Sequence, residues 1–355
     1  MGADSETFAR RLYSRLAEIS CREAPPERDP YMLVLGRACR ALEYENPPIR
    51  PLDSNGLPGG CLYLRHDLPT IVVPDLHARM DFFLNLMLRR DPGGLTTLER
   101  LERGSLQVVC VGDGFHAERR ALQRWVEAYG EYLGLYEEHR RMDEEMRESL
   151  GVMEMVMEVK AHFPCFFHFL KGNHENIANE EGEGNHPFRK FVQEGAMVSS
   201  YVWKFYGTDF FSLYYAFEKQ LPLLAVGRNF LVSHAEPVML YEPGDVLEYR
   251  SRPDVVEGLT WTDNGSSEEG SVEAMLVRYL DRRNADRGYH FGGHRPIGGL
   301  YHTRSGGRYV QIHNPDRWVV AEIRAEGDIV LEENIVEIQN TPDNEGPPCR
   351  EDQSE

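Results

Sequence analysis

The sequence predicts an α/β protein whose buried strands present functional residues at their C-terminal ends. Short apolar runs recur at 70–74, 106–111, 165–170, 222–233 and 308–312, and four of them run into a short polar motif. Helical stretches lie between several of these runs. Alternation of this kind marks strands packed between helices, with ligand-facing groups collected beyond the strand ends.

The elements follow in order. Residues 5–45 read as two helices, with Phe8, Leu12, Leu16 and Ile19 at helical spacing and a second run from Met32 to Leu42. Glu45–Pro51 and Asn55–Gly60 are rich in Pro and Gly and read as a linker, so residues 1–60 form an N-terminal helical extension. The main domain is expected over 61–338, carrying a long helical insertion at 117–162. Within that insertion Trp125, Tyr129, Leu133 and Tyr136 form one stripe, which Met142, Met146, Leu150, Met153 and Met157 continue. At this spacing the stripe reads as core packing. The tail, 339–355, is polar, acidic and rich in breakers, which predicts disorder.

Composition narrows the function classes. Of 355 residues, 41% are hydrophobic and 27% charged, a soluble globular profile. Lys plus Arg is 39 against 58 Asp plus Glu, a formal net charge of −19. Such a surface repels a nucleic-acid backbone, and no Lys/Arg run offers an exception. It also repels phosphorylated substrates at long range, so a phosphate site here needs local positive charge, which metal ions can supply. The six cysteines show no CxxC spacing, and four lie in apolar or helical segments, which reads as buried free thiols. The N-terminal MGADSETFARR has no signal-peptide core, and no apolar run approaches the roughly 20 residues of a membrane helix. A cytosolic protein with no membrane partner is expected.

The chemistry lies in five motifs. The first run ends in Pro74-Asp75-Leu76-His77-Ala78-Arg79, and the second in Gly112-Asp113-Gly114-Phe115-His116-Ala117-Glu118-Arg119. The third leads into Lys171-Gly172-Asn173-His174-Glu175, and the fourth ends at His234-Ala-Glu-Pro. A fifth segment reads Tyr289-His-Phe-Gly-Gly-His294-Arg295-Pro296. Oxygen ligands mixed with imidazoles suit Mn, Fe or Zn rather than Ca or Mg alone. His186, His302 and His313 read as structural, His313 being the one expected to line the pocket.

Asp-x-His, Gly-Asp, Gly-Asn-His-Glu, strand-His and Gly-His, in that order, resemble the calcineurin-like metallophosphoesterases over roughly residues 61–338. The Gly-Asn-His-Glu tetrad after Phe-Leu-Lys, the absence of Gly-His-x-His and the pattern Leu259-Thr-Trp261-Thr-Asp263 are similar to the phosphoprotein phosphatase branch. The resemblance implies a central β-sandwich of mixed sheets flanked by helices. It further implies two divalent metal ions, Mn first and Fe or Zn next. Asp75, His77 and Asp113 would hold one ion, and Asp113, Asn173, His234 and His294 the other. His174 would protonate the leaving alkoxide.

The second motif departs from the family. His116 occupies the position of the acidic residue that orients the general acid, so Glu118 and Arg119 fill the acidic and phosphate-gripping roles only if the loop bulges by two residues. Arg79 and Arg295, each within two residues of a ligand position, are the other candidates for holding phosphate. Glu236 stands where the family has glycine, beside the expected phosphate entrance. The expected activity is hydrolysis of phosphate monoesters, on a phosphoprotein or a small molecule, by a hydroxide bridging the two ions. A dinucleoside polyphosphate hydrolase and a metal-binding scaffold without catalysis are the alternatives. Metal identity and oligomeric state stay open.

Overall fold

A computed structural model describes residues 7–339; the expected tail lies outside them except for its first residue. Eleven strands form the centre: β1 (Cys61–Tyr63), β2 (Thr70–Val73), β3 (Gln107–Cys110), β4 (Phe167–Phe169), β5 (Leu224–Val226), β6 (Phe230–Ser233), β7 (Tyr289–Gly292), β8 (His302–Arg304), β9 (Tyr309–Gln311), β10 (Val319–Ile323) and β11 (Ile335–Glu337). They make two mixed sheets, of order β1-β5-β6-β7-β9-β8 and β11-β10-β2-β3-β4. Within the first, β6, β7 and β9 are neighbours and parallel; within the second, β2, β3 and β4 are.

The continuous apolar runs of these strands follow from burial on both faces. Val72, Val109, Val111 and Leu170 meet Ala225, Val232, Phe291 and Val310 between the sheets. The alternate residues Ile71, Val73, Val108, Cys110, Phe167 and Phe169 face a helical layer. Val226 and Leu231 of the other sheet pack on the helices Pro253–Thr260 and Ser271–Tyr279 through Val255, Leu259, Val272 and Met275. The result is the expected central β-sandwich flanked by helices.

The layer over β2–β4 contains α1 (Phe8–Ser20), α2 (Arg28–Glu43), α3 (Met80–Leu88), α4 (Thr97–Glu102), α5 (Leu122–Leu133), α6 (Arg140–His162) and α7 (Glu194–Lys219). The two N-terminal helices appear where the periodicity placed them. Leu12, Leu16, Tyr31 and Leu35 enter the same core as Met146, Leu150 and Met157 of α6. Glu154 of α6, almost fully buried, accepts from Arg15 at 2.8 Å and Arg22 at 2.6 Å. Cys39, Cys61 and Cys110 are buried free thiols. Among the described residues no helix is long and apolar enough to cross a membrane.

Two expectations about continuity change. The 222–233 run is two antiparallel strands, β5 and β6, turning at Gly227-Arg228-Asn229, a short polar break inside an otherwise apolar stretch. The 117–162 segment is a short 3₁₀ turn and two helices, broken at 134–139, where Leu135 and Tyr136 take φ of 55° and 56°. Tyr136 stays in the core, whereas Leu133 is exposed.

His290 on β7 is fully buried, and burial pulls it down to about 3 from its ordinary 6.5. The Ser233 hydroxyl donates to Ala235 O, so it must accept from His290 Nε2, 2.7 Å away. The folded imidazole is therefore neutral, while the unfolded one takes a proton below 6.5, so its stabilising effect is complete above 6.5 and lost as pH falls towards 3. This group alone should cost about 2 kcal/mol between pH 7 and pH 5. Urea midpoints at the two pH values should converge less in wild type than in His290→Gln, whose midpoint should fall less with acid.

Candidate metal centre

The site forms where the C-terminal ends of the two parallel trios face each other. From one sheet, the segment after β2 delivers Asp75 and His77, that after β3 delivers Asp113, and that after β4 delivers Asn173 and His174. From the other, His234 follows β6 and His294 follows β7. All seven side chains are buried, with His174 at 8% and His294 at 9% exposure the most open.

Short backbone hydrogen bonds hold the loops side by side. His77 N donates to Asp113 O at 2.7 Å and Ala78 N to Gly114 O at 2.8 Å. His174 N donates to Asp113 Oδ1 and His294 N to Asp75 Oδ2, both at 2.9 Å. Ala235 N donates to Leu259 O at 2.8 Å, which ties the Leu259–Asp263 pattern to the His234 loop. Glu175 is the organiser: its carboxylate accepts from Asp113 N (2.9 Å), Gly114 N (2.8 Å) and Gly172 N (2.6 Å). The geometry requires unusual backbone. His77, Ala78, Asp113, His116, Glu118 and His294 all have positive φ, between 42° and 79°. Such conformations cost free energy for non-glycine residues and gather at sites where the surroundings impose them. At Gly293 a Cβ would overlap the Asp75 carboxylate, and at Gly112, with φ 114°, it would overlap Gly172.

The donor set fits divalent cations, and the reason is the placement of protons. His77 Nδ1 lies 3.0 Å from Phe115 O, and His234 Nδ1 3.1 Å from Val111 O. A carbonyl only accepts, so each ring keeps its hydrogen on Nδ1 and presents a bare Nε2 lone pair. His234 Nε2 then faces Asn173 Oδ1 at 2.8 Å and Asp113 Oδ2 at 3.5 Å. His77 Nε2 faces Asp113 Oδ2 at 3.5 Å, Glu118 Oε1 at 3.6 Å and Asp75 Oδ2 at 3.8 Å. His294 Nδ1 is 2.9 Å from the same Asn173 Oδ1. Lone pairs from neutral imidazoles, an amide oxygen and carboxylates thus converge, an arrangement that cations between them make favourable.

Electrostatics point the same way. Burial pulls His77 down to about 3 and His234 to about 4, so both are neutral ligands at neutral pH. Burial, then the neighbouring Glu175 and Asp75, push the Asp113 carboxyl well above its usual range. For Asp75, burial opposes ionisation but His313, His234 and His77 outweigh it and hold the carboxyl low.

The remaining candidates are placed as follows. Arg79 is buried, and its guanidinium donates to Leu76 O (3.1 Å), Asn314 O (2.9 Å) and Asp75 O (2.5 Å). Arg119 is exposed on the 3₁₀ turn, and Arg295, 44% exposed, pairs with Asp263. Glu236 is tied to Arg304 and Ser305. The His116 ring stacks on Trp125; its Nδ1 accepts from Glu118 N at 3.0 Å and its Nε2 faces Glu194 at 3.6 Å, so neither nitrogen is offered to His174. Glu118 turns its carboxylate to His77 and to His313 (3.2 Å), with Lys190 Nζ at 2.5 Å. His174 Nε2 lies 4.0 Å from Asp113 Oδ2, and its ring stacks on Phe188. The sequence pattern gave no role to Glu175 or Lys190 and placed His313 in the pocket lining only. Glu175 stood inside a quoted motif, whereas nothing local marks Lys190.

Removing the Glu175 carboxylate would strand three buried N–H groups. Glu175→Ala should lower unfolding stability by about 3 kcal/mol or more, and Glu175→Gln by less, in urea denaturation of chelated protein.

No protein-family model matches the chain, and no curated protein matches it. Solved structures do. A protein serine/threonine phosphatase from Saccharomyces cerevisiae, described as similar to human phosphatase PP5, aligns with 88% of this chain and 89% of its own, at 14% identity and TM-score 0.53. A cold-active protein-tyrosine phosphatase of a psychrophile Shewanella aligns with 79% of this chain and 82% of its own, at 14% identity and TM-score 0.40. A putative diadenosine tetraphosphatase aligns over 80% of this chain and 100% of its own, at 14% identity and TM-score 0.40. The two facing sheets, their parallel trios and the overlap with the yeast phosphatase show that this chain shares that phosphatase's fold.

Proposed function

We propose that the protein is a two-metal phosphoesterase that hydrolyses phosphate monoesters. The observation that carries this reading is the convergence of proton-free donors from both sheets on Asp113. Asp75, His77 and Asp113 would hold one divalent ion, and Asp113, Asn173, His234 and His294 the second, with Asp113 shared. When bound, such a pair supplies an activated water nucleophile and the positive charge that draws a phosphate ester into a site on a net −19 chain.

The protein's own residues set the rest. Val111 O and Phe115 O fix the tautomers of His234 and His77, so their lone pairs are ready without rearrangement. His174 is the group for protonating the leaving oxygen, because it is the most open imidazole beside Asp113 apart from His294. Burial, then His77 and His116, hold its pKa well below 6.5. A phosphate dianion placed beside it opposes that effect and favours the protonated ring. Lys190, whose Nζ sits on Glu118, is the cation placed to meet the ester's oxygens, since Arg79 is committed to carbonyls and Arg295 to Asp263.

The test is p-nitrophenyl phosphate hydrolysis by chelated protein before and after Mn is restored. Activity should return with Mn, fall at least about 10³-fold in Asp113→Asn, and fall about 10²–10⁴-fold in His174→Asn with metal content unchanged. Two bound ions without turnover of this ester would contradict the monoesterase reading. Cleavage of a dinucleoside polyphosphate instead would redirect it.

A further inference from the structure

We infer that His313 is an additional ligand of the first metal position, oriented by Glu118, so that this position holds one imidazole more than the five sequence motifs supply. The inference rests on the two-metal reading above. It begins with topology. In the six-stranded sheet each of the three parallel neighbours is followed by a histidine at the sheet's C-terminal edge: His234 after β6, His294 after β7 and His313 after β9. The first two already face the donor cluster, and the third reaches its other half.

His313 is fully buried, and its Nδ1 has no hydrogen-bond partner. A buried imidazole in that state is unfavourable unless something occupies its lone pair. Its Nδ1 lies 3.8 Å from Asp75 Oδ2, too long for a hydrogen bond, and its ring centroid is 5.1 Å from that of His77. Donor atoms of Asp75, His77 and His313 all lie within 4.8 Å of one another. On the far side of the ring, Nε2 lies 3.2 Å from Glu118 Oε2. That division suits a ligating histidine, with Nδ1 towards the ion and Nε2–H towards a carboxylate that fixes the tautomer. A purely structural role would satisfy Nε2 and leave Nδ1 bare.

The backbone holds His313 in place. Ile312 N donates to Gly292 O at 3.0 Å, and Ile297 N to His313 O at 2.9 Å. Arg79 joins Asn314 O, next in the chain, to Asp75 O and Leu76 O, so one guanidinium fixes the His313 segment against the Asp75 loop. Glu118 is thereby assigned to His313 rather than to His174. An added imidazole also shifts this position towards borderline ions such as Zn, Fe or Co and away from Mg.

The experiment uses the full chain, chelated and reloaded with Co²⁺. Each ligating histidine gives one exchangeable ring N–H signal shifted by the paramagnetic ion. The inference expects four such signals, from His77, His234, His294 and His313. His313→Gln should remove one and weaken one of the two bound ions at least about ten-fold in a metal titration, and Glu118→Gln should weaken the same ion about 10–100-fold. Three signals in wild type, or two ions bound as tightly by His313→Gln as by wild type, would overturn the inference while leaving the two-metal reading intact. A wild type that binds no metal would remove that reading first. The wild-type signal count decides the matter even where a variant fails to fold.

Discussion

Buried lone pairs that face one another without a proton between them are the constraint on which the site depends. Asp113 sits at their centre, with His77 Nε2 and His234 Nε2 each 3.5 Å from the same carboxylate oxygen. Left without cations, such a cluster would have to protonate or spread apart. The surrounding structure resists the spreading: it fixes the tautomers with carbonyls and locks the loops with Glu175 and Arg79. The fold's architecture can be understood as what holds these groups together: two sheets place their parallel trios edge to edge, and six non-glycine residues at the site accept positive φ to bring their side chains inward.

The second motif shows how the same scaffold can carry different local chemistry. Where the resemblance calls for an acidic residue, His116 is packed on Trp125 and engaged with the Glu118 backbone and with Glu194. Glu118, two residues on, leans across to His77, His313 and Lys190. The cation that pairs with Glu118 is a lysine. That lysine, Lys190, lies in the segment before α7.

The strand-end motifs were legible in the sequence because they are local, and the sandwich followed only from the resemblance that their order carries. A strand buried on two faces is written as an apolar run, and its ligand follows within a few residues, as with Val73 and Asp75 or Ser233 and His234. What escaped was set by long-range placement. Arg79, Arg119 and Arg295 are the same residue type, yet one clamps carbonyls, one is exposed and one pairs with Asp263. His313 belongs to no motif, and only the pairing of β9 with β7 brings it towards Asp75. The break at 134–139 was hidden because Leu135 and Tyr136 continue the apolar stripe through it, whereas the polar Gly227-Arg228-Asn229 turn was written in the sequence.

The most direct measurement of the central claim is anomalous diffraction from crystals of Mn-loaded protein, collected at the Mn edge. The account predicts two peaks about 3.5–4 Å apart, both touching Asp113, one beside His77 and Asp75 and the other between Asn173, His234 and His294. No peak at Asp113, or a single ion bound elsewhere, would contradict it.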